Sequence, residues 1–127
     1  MEDDAKKAHR YYSLGNELKG LGRLAEAEES YRGAIALRPK VAQVHNNLGN
    51  TLKEMGRLGE AEESIKIALE LKPDFALAFN NYGTILEELK RHGESEASYR
   101  KAIALNPTYS EAYSNLGNVL IKIDRLE

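Results

Sequence analysis

Apolar side chains recur along this chain three and four residues apart, in runs that stop and restart. Tyr11, Leu14, Leu18 and Leu21 keep that spacing, which gathers them on one face of a helix. Gly22 follows, a residue that accepts the left-handed conformation in which helices often end. Leu24, Ala27, Tyr31, Ala34, Ile35 and Leu37 then mark a second amphipathic helix. It stops at Arg38, because the residue before a proline, here Pro39, is biased out of the helical region. The unit over residues 8–41 therefore reads as helix, short turn, helix, stop.

Residues 42–75 repeat this pattern, with Leu48 and Leu52, a break at Gly56, then Leu58, Ala61, Ile65, Ala68, Leu69 and Leu71 before Pro73. Residues 76–109 do so again through Phe79, Tyr82, Leu86, Ala102, Ile103, Leu105 and Pro107. In this third unit Lys90 stands where the stopping glycine is due and Ser95 where the alanine is, so a stiffer or less regular turn is expected. Residues 110–127 hold a fourth first helix with Tyr113, Leu116, Leu120 and Ile123, opened by the capping-box spacing of Thr108 and Glu111. Asp124-Arg125-Leu126-Glu127 takes the place of Gly22-Arg23-Leu24-Ala25, so a second helix is due to begin there. Before the first unit, Asp3 and Asp4 suit an early helix start. The expected helices are 8–21, 25–37, 42–55, 59–71, 76–89, 93–105 and 110–123, with no strand: an all-α chain.

The units are in strict register. Gly15, Gly49, Gly83 and Gly117 stand 34 residues apart, and so do Pro39, Pro73 and Pro107. A fixed period of this size is the mark of a stacked repeat protein. Each mid-helix glycine costs about 1 kcal/mol against alanine. Close helix packing explains why the cost recurs, with Ala27, Ala61 and Ser95 expected to approach Gly15, Gly49 and Gly83.

These residues resemble the tetratricopeptide repeat family, whose unit carries an aromatic residue, Leu-Gly, a further large residue, then alanine, an aromatic and proline. The first unit matches at Tyr11, Leu14-Gly15, Leu18, Ala27, Tyr31 and Pro39. The second matches at Leu48-Gly49, Leu52, Ala61, Ile65 and Pro73, with His45 in the aromatic slot; the third matches at Phe79, Tyr82-Gly83, Leu86, Tyr99 and Pro107. The resemblance implies an α-solenoid, a right-handed superhelix of antiparallel helix pairs. It would form a single domain over 1–127, with three units and the first helix of a fourth. It also implies a concave groove, lined by the first helices, that binds peptides.

Asparagine is a mediocre helix former, yet it recurs on the first helices. Asn47, Asn81 and Asn115 form one series, with Ser13 in the first unit's place. Asn16, Asn50 and Asn118 form another, with Thr84 in its gap. Asn47 and Asn50 are three apart and share a face away from Leu48 and Leu52, which in the family is the concave side. A side-chain amide both donates and accepts, so such a ladder can hold peptide backbone without reading side chains. The alternative is that the asparagines tie neighbouring helices together. The expected groove residues are Tyr12, Ser13, Asn16, Asn46, Asn47, Asn50, Leu77, Asn80, Asn81, Thr84, Glu111, Asn115 and Asn118. The ladder further resembles the asparagine-lined groove of the O-linked N-acetylglucosamine transferase repeats.

A second family site, the clamp that grips the C-terminal carboxylate of heat-shock chaperones, uses two lysines, an arginine and two asparagines. Its positions fall here on Tyr12, Asn16, Asn47, Leu77 and Asn81, or one unit later on Asn46, Asn50, Asn81, Glu111 and Asn115. Every cation is missing, and a carboxylate needs a charge-assisted partner, so the clamp is rejected.

Composition removes other classes. Net charge is -2, which gives no electrostatic case for nucleic acid or anionic membrane. There is no cysteine and no apolar run of membrane-spanning length. The polar start, Met1-Glu2-Asp3-Asp4, is unlike a signal peptide, and the cytoplasm is the expected location. Glu26, Glu28, Glu29, Glu60, Glu62, Glu63, Glu94 and Glu96 lie in the first turns of the second helices, where the dipole favours them. The pairs Glu28–Arg32, Glu62–Lys66 and Glu96–Arg100 are four apart, so these carboxylates read as a solvated outer face. His9, His45 and His92 share no metal spacing; His45 is expected to pack inside and the other two to lie at the surface. No catalytic residue, metal or cofactor is expected. The expected function is a noncatalytic scaffold that binds an extended peptide or protein partner. The alternatives are the substrate-recognition arm of a larger glycosyltransferase-like enzyme, and a structural module that self-associates through its open C-terminal end.

Overall fold

A computed structural model describes residues 2–126. They form seven helices and no strand: α1 (Asp4–Gly20), α2 (Leu24–Leu37), α3 (Ala42–Glu54), α4 (Leu58–Leu71), α5 (Ala76–Glu88), α6 (His92–Leu105) and α7 (Ser110–Leu126). The fold is an all-α helical repeat. Helices α1–α4 make one compact unit and α5–α7 another.

Within the first unit α1 packs on α2, α2 on α3 and α3 on α4. The α1–α2 pair is antiparallel, because Gly15 meets Tyr31 whereas the earlier Tyr11 meets the later Gly33. Tyr31, Leu48, Leu52 and Ile65 are sealed from solvent in this unit, each worth about 1.5–3 kcal/mol or more relative to exposure. In the second unit α5 packs on α6 and α6 on α7. Tyr99, Leu116 and Val119 form its core there, with Ile103 and Ile123 against them.

The turns between paired helices follow one design. Gly22 and Gly56 take φ of 77° and 79°, and the amides that follow close back onto the helix: Arg23 donates to the Leu18 carbonyl and Arg57 to that of Leu52. The expected irregular turn at Lys90 is not found. Lys90 takes φ of 65°, and Arg91 donates to the Leu86 carbonyl at 2.9 Å, as its counterparts do. The tertiary register thus overrides the conformational preference of a non-glycine residue, which is strained there.

Three further differences have local causes. α1 starts at Asp4 because the Asp3 side chain caps it, accepting from the Lys6 amide at 2.8 Å. The Thr108 hydroxyl does not cap α7; it donates to Asn106 Oδ1 at 3.1 Å, and the helix begins only at Ser110. At its other end α7 runs on through Asp124 to Leu126. Without a glycine at 124 nothing forces the left-handed break, so the expected turn is absent. Residue 127 lies outside the described residues.

The mid-helix glycines do serve close packing, but against a different residue. A methyl group on Gly15 would lie 2.7 Å from Tyr31, and one on Gly83 would lie 2.4 Å from Tyr99. The large side chain one turn beyond the expected alanine seats on the glycine. For Gly49 the filler is Ile65, with the Ala61 carbonyl beside it. Ser95 keeps its expected place by donating its hydroxyl to the Gly83 carbonyl at 2.7 Å.

Candidate functional site

The first helices carry the polar residues singled out in the sequence. In the first unit they come together. Asn47 on α3 donates its amide to Asn16 Oδ1 on α1 at 2.9 Å and to the Tyr12 hydroxyl at 3.2 Å. Asn16 Oδ1 also accepts the Tyr31 hydroxyl at 2.6 Å. Two bonds onto one oxygen orient the Asn16 amide, and its Nδ2 has no protein acceptor among the described residues. Asn16 and Ser13 are exposed, while Tyr12, Asn47 and Asn50 are half-buried. Burial, then the neighbouring Tyr12, pushes the Tyr31 hydroxyl up from 10.0 to about 12.

The second unit has a sparser set. Asn115 on α7 donates to Asn80 Oδ1 on α5 at 3.1 Å. Asn81 and Thr84 are half-buried, and Leu77, Glu111 and Asn118 are exposed. The Tyr99 hydroxyl donates to Glu87 Oε2 at 3.0 Å. Burial first, then the Glu87 charge, holds that hydroxyl in its neutral form well beyond the usual tyrosine range.

Two expected groove residues are corrected. Asn46 and Asn80 are each only 1% exposed. They stand three residues before Gly49 and Gly83, so they share the packing face of their helices and point between helices instead of into a groove. Asn46 donates to Asn47 Oδ1 at 3.3 Å, and Asn80 accepts from Asn115, so both act as polar struts.

The histidines divide. His9 is exposed, and His45 is buried with Nε2 2.7 Å from the Pro39 carbonyl. His92 was expected at the surface but is half-buried, with an Nδ1 that has no partner. Its ring opens α6 at the position held by leucine in the earlier units, which draws it inward.

The three glutamate pairs form: Glu28–Arg32 at 2.9 Å, Glu62–Lys66 at 3.4 Å and Glu96–Arg100 at 2.9 Å. One link escaped the reading by single helices. Arg57 binds Glu28 on α2 and Glu60 on α4, both at 2.6 Å. The available signal was Arg23, Arg57 and Arg91 recurring at the repeat step. Arg57 first, then Arg32, holds the Glu28 carboxyl below the usual carboxylate range. Among the described residues no group of three or more acidic, histidine or cysteine side chains gathers as a metal site, and no helix is long and apolar enough to cross a membrane.

A tetratricopeptide repeat family model matches residues 46–110, just over half of the chain. The chain belongs to the tetratricopeptide repeat (TPR) family. A second TPR repeat model covers residues 15–56 and a third tetratricopeptide repeat model covers 98–127. No curated protein sequence matches the chain. Among solved structures, the first TPR of Spaghetti (RPAP3) bound to the HSP90 peptide SRMEEVD aligns with a TM-score of 0.92 at 20% identity, covering 98% of each chain. The Arabidopsis OM64 TPR domain aligns at 0.91 and 22%, covering 94% of this chain and 98% of that one. The second TPR domain of human RPAP3, in complex with the HSP70 peptide SGPTIEEVD, aligns at 0.86 and 22%, covering 91% and 97%. At these identities the likeness is one of fold.

Proposed function

We propose that this TPR chain is a noncatalytic interaction module that takes an extended peptide along its first helices and holds it through asparagine amides. The observation that carries this reading is the Asn16 amide, whose Oδ1 is held by Tyr31 and Asn47 on a residue that is itself exposed. A donor held in place before the ligand arrives binds a peptide carbonyl at little ordering cost. Asn50 and Asn118 occupy the same repeat position. In this reading they and Asn16 are the direct donors, and Asn47 and Asn115 orient or exchange bonds with the ligand.

The two RPAP3 domains were solved with chaperone peptides ending in the acidic sequence EEVD. Here the clamp positions Tyr12, Asn16, Asn47, Leu77 and Asn81 carry no cation. The proposed ligand is therefore an internal extended segment, with selectivity set by Tyr12, Leu77 and Glu111.

A random peptide library selected on the chain, followed by calorimetric titration of the best binder, tests this. Asn16→Ala is expected to weaken that peptide by about fivefold to tenfold, the worth of about one hydrogen bond. The triple change Asn47→Ala, Asn81→Ala, Asn115→Ala is expected to lose about 1.5–4.5 kcal/mol if the bonds add. Full affinity in both variants, with the fold intact, rejects the ladder.

One observation favours a second reading, self-association through α7. A methyl group added at Gly117 would meet nothing within 4 Å, whereas the space beside Gly15, Gly49 and Gly83 is filled in each case. Tyr113, Leu120 and Ile121 are exposed on the same helix, at 50%, 37% and 52%. Sedimentation of the wild type against Ile121→Lys decides it: a concentration-dependent mass lost in the variant supports it, and a monomer throughout rejects it.

A further inference from the structure

At the 34-residue step Val41 is followed by Phe75 and Tyr109, so the first junction between repeats carries the smallest of the three side chains. Beside Val41 lies a hollow of about 100 Å³, enclosed by α1, the end of α2 and the start of α3. The buried Ala8, Ala34 and Val44 line it, and Tyr12, His9 and Arg38 stand around it. We propose that this hollow is a pocket for one aromatic side chain, phenylalanine or tyrosine, of the peptide that the ladder holds. A peptide as the source of the ring rests on the function proposed above; the hollow itself does not.

The chain supplies a template for the occupant. Lys72 takes the repeat position of Arg38, as Phe75 takes that of Val41. There the Lys72 ammonium stands over the Phe75 ring, 5.2 Å from its centroid, a cation–π contact. The first junction keeps the cation and lacks the ring. An incoming ring seated beside Val41 restores the pair, and a guanidinium stacks well on aromatic faces. The walls also suit a ring. Tyr12 and His9 stand 6.4 Å apart with their planes tilted by 45°, and a third aromatic beside them gains edge-to-face contacts that an aliphatic side chain does not make. Size sets an upper bound. An apolar cavity of about 150 Å³ takes a whole benzene ring, so a hollow of about 100 Å³ holds most of a phenyl ring and leaves its edge at the mouth.

Tyr12 joins the hollow to the ladder. Its ring lines the hollow, and its hydroxyl accepts from Asn47 at 3.2 Å. Asn16 follows one turn later on α1, about 6 Å along the helix axis. That distance is about two residues of an extended chain. The residue whose ring fills the hollow and the one whose carbonyl meets Asn16 are therefore about two apart in the peptide.

Methyl NMR of Ala8, Ala34, Val41 and Val44 tests the pocket, with the N-acetyl amides of phenylalanine, leucine and alanine as probes. The phenylalanine amide is expected to shift these methyls saturably, the leucine amide to bind at least about twofold more weakly, and the alanine amide not to bind. Val41→Phe supplies the ring from within and is expected to abolish the shift of the remaining methyls. Its fold should survive, since Phe75 holds the same place before α5 that Val41 holds before α3. Arg38→Ala, at the exposed rim, is expected to weaken the phenylalanine amide about twofold to fivefold. Asn16→Ala is expected to leave the probe unchanged but to weaken the peptide selected from the library. A peptide insensitive to Asn16→Ala, with the probe still seated, counts against the ladder and supports the pocket; a peptide weakened by Asn16→Ala, with no probe bound, counts against the pocket alone. No saturable shift with the phenylalanine amide, a leucine amide that binds as tightly, or affinity unchanged in both Val41→Phe and Arg38→Ala overturns the pocket.

Discussion

Alanine at Gly83 and alanine at Gly117 add the same methyl group at the same repeat position, yet opposite outcomes are expected. On Gly83 the methyl carbon would sit 2.4 Å from Tyr99 Cε1, 2.6 Å from Cδ1 and 2.8 Å from Cζ. The ring has nowhere to retreat, since it is fully buried with Leu116 and Val119 against it. Overpacking of this kind costs about 1–3 kcal/mol. Displacing the ring also loses its bond to Glu87, about 1 kcal/mol, and better helix propensity returns about 1 kcal/mol. The net loss is about 1–3 kcal/mol. On Gly117 nothing lies within 4 Å, so only the propensity gain of about 1 kcal/mol remains. Urea unfolding followed by far-ultraviolet circular dichroism, in dilute solution, should separate the two variants by about 2–4 kcal/mol, with thermal midpoints apart by roughly 4 °C for each kcal/mol. A Gly83→Ala variant as stable as the wild type would refute the packing argument, as would a Gly117→Ala variant that loses as much as Gly83→Ala.

Lys90→Gly should raise stability by about 1 kcal/mol by removing a side chain from a left-handed turn; an unchanged urea midpoint counts against that strain. The Tyr31 hydroxyl is raised in the fold, so its contribution is complete below pH 10.0 and fades as pH climbs to about 12. Tyr31→Phe should therefore flatten the alkaline loss of stability, and a profile parallel to the wild type's would exclude the cause. The Glu28 carboxyl is depressed, so its contribution holds at neutral pH and fades as acid protonates it below the usual carboxylate range. Arg57→Ala should remove most of that acid dependence, since Arg57 is its leading cause; a retained acid slope would point to other groups.

Helix positions were legible because periodic apolar residues and the 34-residue step repeat the same message several times. Where only one unit spoke, the message failed. Lys90 has a strong local preference against its turn, yet the packed pair around it imposes the shape. Asp124 stands in a glycine's register, but register alone does not break a helix. The asparagines show a subtler limit. A helical wheel sets Asn46 on the packing side with Gly49 and turns Asn47 away from it, but it does not show that Asn46 is sealed in as a strut. That depends on what the other helices bring to the site, where Tyr12 of α1 and Tyr31 of α2 converge on the Asn16–Asn47 pair. The bridging role of Arg57 was hidden for the same reason: Glu60 is its local partner three residues on, but Glu28 lies on another helix.

That bridge bears on how the first unit comes apart. Repeat proteins behave as rows of weakly cooperative segments, each coupled to its neighbour by an interface term. In a chain of helix pairs the outer pair is free to open while the inner one stays closed. Glu28 belongs to α2, Glu60 to α4, and one guanidinium holds both. Opening α1–α2 away from α3–α4 breaks a charge-assisted link, so the two pairs exchange their amide hydrogens closer to a common rate than their separate stabilities dictate. The link is only partly shielded from solvent, with Arg57 37% exposed, and salt screens such pairs. Ionic strength thus acts as a dial on cooperativity, under which the same helices exchange together in dilute buffer and one pair at a time in brine.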